Sequence, residues 1–263
     1  QRERTQWNGI PMLLCVAEES RPGRPAGLDG SLLDELWALL DTRFSSDSRV
    51  IPHGRVSVAV ALLQARRLIY ESNVEAVLIV ASDSLLTWPT LREFDRQQRL
   101  LSGANSNGFL PGEGAAALLV TRPAESGQMV VTGLGFATET ATISSEEPLR
   151  AEGLSRAING ALAEAGCDML DMDLRITDLS GEQYYFKEAA LALSRTLKRR
   201  KETFDIWHPA DCVGEIGSGI GPAMLAVADA SVRKGYGPGP SILLHVSNDG
   251  GQRAAIVLRK WVN

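Results

Sequence analysis

Apolar residues along the chain follow two alternating rhythms. Runs of strand length at 10–17, 74–82 and 114–122 are apolar almost without interruption, the pattern of strands covered on both faces. Between them, apolar residues return every three or four positions. Leu32, Leu33, Leu36, Leu39 and Leu40 predict a helix over 31–40, and a stronger helix follows over 56–72. A brief strand at 49–52 separates these helices, while Pro22, Gly23, Pro25 and Gly27 mark a loop. The stretch between 83 and 113 reads as polar and loop-rich. The rhythm then starts again: strand 128–137, helix 148–165 ended by Gly166, strand 174–179, helix 184–198 and a short strand 204–208. Helix 220–235, closed by Gly235, and strands 241–247 and 253–260 complete it.

Helices that alternate with strands predict an α/β fold whose sheets are mainly parallel, with helices on their faces. The second part, 125–263, reads β-α-β-α-β-α-β-β. The first, 1–124, gives the same order without an opening strand and helix. An internal duplication with an incomplete first copy explains both readings, and makes 114–122 and 253–260 equivalent closing strands. The polar start at Gln1, with no initiator Met, is what a piece of a longer chain presents.

With 263 residues, 44% of them hydrophobic, the chain can bury one large domain or two packed halves. Its net charge of −5 leaves no electrostatic footprint for nucleic acid. Lys198, Arg199, Arg200 and Lys201 form the one basic cluster. It sits where it complements the carbonyl end of a helix, with contact to an acidic partner as the other reading. Cys15, Cys167 and Cys212 are too few and too scattered for a disulfide framework or a zinc site. No cofactor and no metal are expected. No apolar run approaches the ~18–20 residues that cross a membrane, and the polar N-terminus has no signal-peptide core. A cytoplasmic location without membrane association is the expectation.

The most informative stretch runs from Asn107 through Gly108, Phe109, Gly112, Glu113 and Gly114 into an apolar strand. Its glycines imply a loop whose backbone approaches something closely. It resembles the Gly-Phe-x-x-Gly-Glu-Gly-Ala signature of the β-ketoacyl-acyl-carrier-protein synthases, a family of the thiolase superfamily. Further pieces fall in that family's order. The helix after Gly54 and the strand ending near Asp83 resemble the nucleophile helix and its following strand. Val213 to Gly221 resembles the family's Thr-Gly-His-x-x-Gly-Ala-Ala-Gly stretch. Ser247-Asn-Asp-Gly250-Gly251 resembles its Phe-Gly-Gly-Thr-Asn loop. The resemblance spans roughly residues 50 to 260. It implies duplicated αβαβα layers, each half carrying a mixed five-stranded sheet, the first without its opening strand and helix. Gly217-Ser-Gly-Ile-Gly lacks the spacing of a dinucleotide loop.

In the family, a cysteine at the start of the nucleophile helix attacks an acyl thioester, and two histidines support the decarboxylative condensation. The resemblance puts the cysteine's position at Arg55, with His53 and Ser57 as neighbours, and the histidine positions at Asp178 and Glu215. Gly108, Phe109, Gly112, Glu113, Gly250 and Gly251 fall in the pocket loops. The family's Cys-His-His set is therefore missing, and Arg55 and Glu215 are expected to face each other as a cation and an anion. The leading reading is a non-condensing homologue, like the family's chain-length factors, that binds an acyl or carrier-protein group or a partner. Its partners would be a second copy or an active ketosynthase, paired through the strand at 49–52, and an acyl-carrier protein. The rival is an acyltransferase or thioester hydrolase with a rearranged site, using Cys212 or Ser57 with His53 or His208. Cys212, His208, Asp211 and Glu215 read more simply as a loop whose polar groups bond its own amides. His245, in an apolar strand, reads as a core residue.

Overall fold

The structure, a computed structural model, describes residues 4–123 and 125–261. A 3-10 turn (Arg4–Gly9) leads into β1 (Met12–Cys15), α1 (Leu32–Leu40) and β2 (Arg49–Ile51). A second 3-10 turn (Gly54–Val56) runs directly into α2 (Ser57–Tyr70), followed by β3 (Ala76–Ser84), α3 (Trp88–Arg96) and β4 (Glu113–Thr121). The next series is β5 (Met129–Thr138), α4 (Glu152–Glu164), β6 (Leu174–Thr177), α5 (Gln183–Thr196) and β7 (Asp205–Trp207). The short α6 (Ala210–Val213), α7 (Ile220–Arg233), β8 (Ile242–Ser247) and β9 (Gln252–Lys260) complete the chain.

The strands form a four-stranded sheet in the order β2-β1-β3-β4 and a five-stranded sheet in the order β5-β9-β8-β6-β7. In the first, β1 pairs parallel with β2 and β3, and β4 runs antiparallel to β3. In the second, β6 pairs parallel with β7 and β8, and β9 runs antiparallel to β8. Followed inwards from β2 and from β7, the two sheets match strand for strand. The match ends where β9 gains β5 as a further antiparallel neighbour. Among the described residues β4 has no such neighbour. The duplicated mixed α/β architecture is present, and its first sheet lacks the opening strand and helix.

Burial shows the layering. Val58, Ala61, Leu62 and Ala65 of α2 share one apolar core with Ile220, Met224 and Ala228 of α7. Leu13, Val77 and Ile79 of the first sheet enter that core, as do Ile176, Leu244 and Ile256 of the second. The two helices therefore lie between the sheets. On the far side of the second sheet, Leu243, Ala255 and Val257 pack with Leu154, Ala157 and Ile158 of α4 and Ala192 of α5. Alternate residues of β8 and β9 thus meet helices on opposite faces. That is why these strands read as continuous apolar runs rather than alternating ones.

Two elements differ from the sequence reading. Helix α3 lies in the stretch that reads as loop. Pro89 stands in its first turn, where a missing N–H costs nothing, but only Thr90 and Phe94 are buried, so the apolar stripe is too thin to register. Helix α4 begins at Glu152 rather than at 148, because Ala151 adopts a left-handed conformation with φ +54°.

Candidate functional site

The site is assembled at the ends of strands from both sheets. After β2 the chain passes His53 and Gly54 and turns into α2. Gly54 has φ +53°, and a Cβ there would stand 1.9 Å from Oε2 of Glu18, so this corner requires glycine. Arg55 follows, with 9% of its surface exposed. Asp178 comes from the loop after β6, Glu215 from the loop after α6 and Asp249 from the loop after β8. Tyr185 is on the first turn of α5.

All four meet the Arg55 guanidinium. Nη1 donates to Oε2 of Glu215 at 3.2 Å. Nη2 donates to Oδ1 of Asp249 at 2.9 Å and to the Tyr185 hydroxyl at 3.0 Å. Oδ2 of Asp178 lies 3.7 Å from Nε. The Tyr185 hydroxyl in turn donates to Asp249. Asp249 is shared with Arg99, whose Nη1 reaches Oδ2 at 2.5 Å. Arg99 also grips Glu182 through two donors, at 2.7 and 2.9 Å, the fork geometry that suits a carboxylate. The network therefore runs Glu215, Arg55, Asp249, Arg99, Glu182. Beside it Arg21 pairs with Asp83 at 3.1 Å.

Acids outnumber bases here: Arg21, Arg55 and Arg99 face Glu18, Asp83, Asp178, Glu182, Glu215 and Asp249. Burial pushes the Glu215 carboxyl up to about 7; Arg55 opposes the rise and Asp178 adds to it. Burial likewise raises Asp178, with Arg55 pulling back, and raises Glu18. Asp249 is also desolvated, but Arg55 and Arg99 together hold its carboxyl below the usual range. Around Arg55 the side chains leave a void of only about 30 Å3, room for a water, and a cavity of about 660 Å3 adjoins it past Arg99, Glu182 and Asp249.

The other sequence candidates divide around this centre. Phe109 is buried and meets Phe94 edge-on at 5.0 Å, with Arg99 over both rings. The Gly108–Gly112 loop is clamped to the Glu215 segment, because Glu215 N donates to Leu110 O at 2.7 Å and Gly112 N donates to Glu215 O at 2.9 Å. Glu113 turns away, exposed, and accepts from Ser84 Oγ. Gly251, φ +94°, closes the Asp249 turn by donating to Asn248 O, and Gly250 is exposed at its tip. Ser57 is fully buried, and its hydroxyl donates to Ile51 O at 2.9 Å while accepting from His53 N. The His53 imidazole is exposed. His208 and Cys212 are outside the lining of the Arg55 pocket. His208 Nδ1 lies 2.7 Å from Asp211 but off the direction of a hydrogen bond, its ring edges onto Phe186, and Cys212 is exposed on α6. Burial pushes the Cys15 thiol up to about 12 and the His245 imidazole down to about 3, so both are neutral core groups. Among the described residues no cluster of acids, histidines and cysteines is suited to a metal ion, and no helix is long and apolar enough to cross a membrane.

Four participants escaped the sequence reading: Asp249, Tyr185, Arg99 and Glu182. Asp249 lies inside the Gly-rich loop after Ser247, and an acid beside two glycines is the available signal. Nothing in the sequence marks the others.

No protein-family model matches the chain. Two curated proteins, each described as a putative polyketide β-ketoacyl synthase 2, are similar to it. One, from Streptomyces cyaneus, is 33% identical over 126 residues, 47% of this chain and 30% of its own length. The other, from Streptomyces coelicolor, is 31% identical over 160 residues, 60% of this chain and 38% of its own length. An oxazolomycin ketosynthase domain of Streptomyces albus superposes on 99% of this chain with a TM-score of 0.79, at 16% identity and over 57% of its own length. The chain is β-ketoacyl synthase-like, with a thiolase-type fold. A ketosynthase solved in complex with its chain length factor, from Xenorhabdus doucetiae, gives a TM-score of 0.70 at 14% identity, over 98% of this chain and 76% of that one. The ketosynthase-like chain thus spans between 30% and 38% of the length of the curated relatives it matches.

Proposed function

We propose that this chain is a non-condensing β-ketoacyl synthase-like protein, which recognises an acyl or carrier-protein group or a ketosynthase partner without joining carbon chains. One observation carries the reading: just before α2, where the resemblance puts the family's nucleophile, Arg55 is pinned by Glu215, Asp249 and Tyr185. A guanidinium stays protonated at neutral pH and cannot attack a thioester. Glu215, where the resemblance puts a family histidine, does not take the imidazole's part either. Its Oε2 accepts from Arg55 Nη1 and its Oε1 from Gly217 N, so both of its oxygens are engaged as acceptors. Asp178 spends Oδ2 on Ser247 N.

The resemblance puts the partner contact at strand β2, which among the described residues pairs with β1 alone. The neighbour solved with its chain length factor supports a ketosynthase as that partner. The rearranged-site reading gains no support from Ser57, whose hydroxyl is committed to Ile51 O.

The test joins two assays on the purified protein. Malonyl-dependent condensation on carrier protein should be absent. A co-expressed ketosynthase should be captured one to one, and Val50→Asp on the β2 edge should lose that capture with the fold unchanged. Condensation, or no association at tens of micromolar, overturns the reading. Thioester hydrolysis lost on Cys212→Ala or Ser57→Ala favours the hydrolase instead.

A further inference from the structure

The basic cluster does not complement the helix before it. Helix α5 stops at Thr196, and Leu197 turns extended, φ −87° and ψ +100°, so the residues that follow leave the helix end instead of capping it. Arg195, Lys198, Arg199 and Arg200 are exposed and, among the described residues, make no hydrogen bond or ion pair. Lys201 is anchored: its ammonium donates to the carbonyls of Leu170 and Met172 and lies 4.7 Å over the Phe204 ring. Arg175 meets the same ring at 4.7 Å and donates to Phe204 O at 3.2 Å. It is buried without an acid partner, and its Nε has no hydrogen bond. Residues 195–205 thus hold five cations against two acids in a chain of net charge −5. This surface attracts anions where the protein as a whole repels them.

The segment leads into β7, the outer strand of the second sheet, which among the described residues pairs with β6 alone. No other backbone hydrogen bond reaches 205–207, so the outward N–H and C=O groups of β7 form a template for a further strand. Aromatic rings flank that edge on both faces of the sheet. On the face where Ile206 packs with Tyr185 and Ala189 of α5, Phe186 is 40% exposed and meets His208 edge-on at 5.6 Å. On the α7 face Trp207 stacks with Tyr236, itself 55% exposed, at 6.0 Å.

We propose that β7 and the basic segment before it dock an extended acidic peptide of a partner protein, added to the sheet as a strand. Its backbone pairs with β7, and its alternate apolar side chains fall beside Phe186 on one face and Tyr236 on the other. Its acids lie against Lys198, Arg199 and Arg200, the charges the fold leaves unmatched. This surface shares no residue with the lining of the Arg55 centre, and the inference goes beyond the non-condensing reading.

Two labelled peptides probe the intact protein: Glu-Asp-Glu-Glu-Thr-Val-Tyr-Val-Thr and the same residues in reverse order, so that the acids meet the cluster in either strand direction. One of them should bind one to one and slow hydrogen exchange at Ile206 and Trp207 at least about tenfold at saturation. Its affinity should fall at least about tenfold between about 0.05 and about 0.5 M salt. Arg199→Glu with Arg200→Glu should lose the binding while the urea midpoint stays unchanged. Methylating the amide nitrogens of the peptide's apolar half keeps its charge and removes its ladder donors, and should lose the exchange protection. Binding by neither peptide overturns the proposal. So does binding that survives the charge reversal. Equal binding by the methylated peptide also overturns it, leaving a site for acids without an added strand.

Discussion

Arg55 offers a planar fork of donors, and carboxylates reach it from three separate loops, after β6, after α6 and after β8. Each side of these pairs is desolvated, so removing one leaves the other with a charge in a poor solvent. Glu215→Ala should cost about 3 kcal/mol, the low end for a broken buried pair because Asp249 and Tyr185 remain, and should appear as a lower urea midpoint. The pH dependence has a definite sign. Folding lifts the Glu215 carboxyl from 4.5 to about 7, so the folded state keeps a proton that the unfolded chain releases. Its contribution is fully present below about 4.5 and is lost as pH rises to about 7. Asp178 and Glu18, also raised, act in the same direction. Asp249, held low, acts oppositely: its contribution is present above 3.8 and is lost as pH falls. Glu215→Gln should flatten the fall in stability between pH 5 and 7, followed as urea midpoints; an unchanged slope would contradict the assignment. At this scale the sequence was half legible. Arg55, Asp178 and Glu215 could be singled out because the resemblance marks their positions. Arg99 and Glu182 could not, because their pairing exists only once the α3 loop folds against the start of α5.

Elements were more legible than their partners. Strands covered on both faces, such as β8 and β9, announce themselves as unbroken apolar runs. Helix α3 does not, since most of its surface meets water and its polar residues match those of a loop. Close approach between elements leaves a plainer trace, in glycine. A Cβ at Gly135 on β5 would stand 1.9 Å from Ala157 O of α4, a backbone atom that moves only if the helix moves. Gly135→Ala should therefore cost about 1–3 kcal/mol as overpacking and lower the thermal midpoint. Gly9→Ala, with nothing within 4 Å of the added carbon, is the control and should change little.

For the whole molecule, the sequence carried the duplication, the class of fold and the shorter first sheet, because order and periodicity survive without any knowledge of contacts. It did not carry how full the centre is. An arginine at position 55 by itself is compatible with an open pocket; the narrow space of about 30 Å3 around it follows from the charged side chains that converge there, Arg99, Glu182, Glu215 and Asp249 among them. The non-condensing reading predicts that no residue of this protein takes up an acyl group from a thioester. Intact-mass spectrometry after incubation with acyl-carrier protein or an acyl thioester tests this directly. The predicted result is an unchanged mass, in the native protein and in Cys212→Ala alike. An acyl adduct that forms with saturation and maps to Ser57 or Cys212 would contradict it.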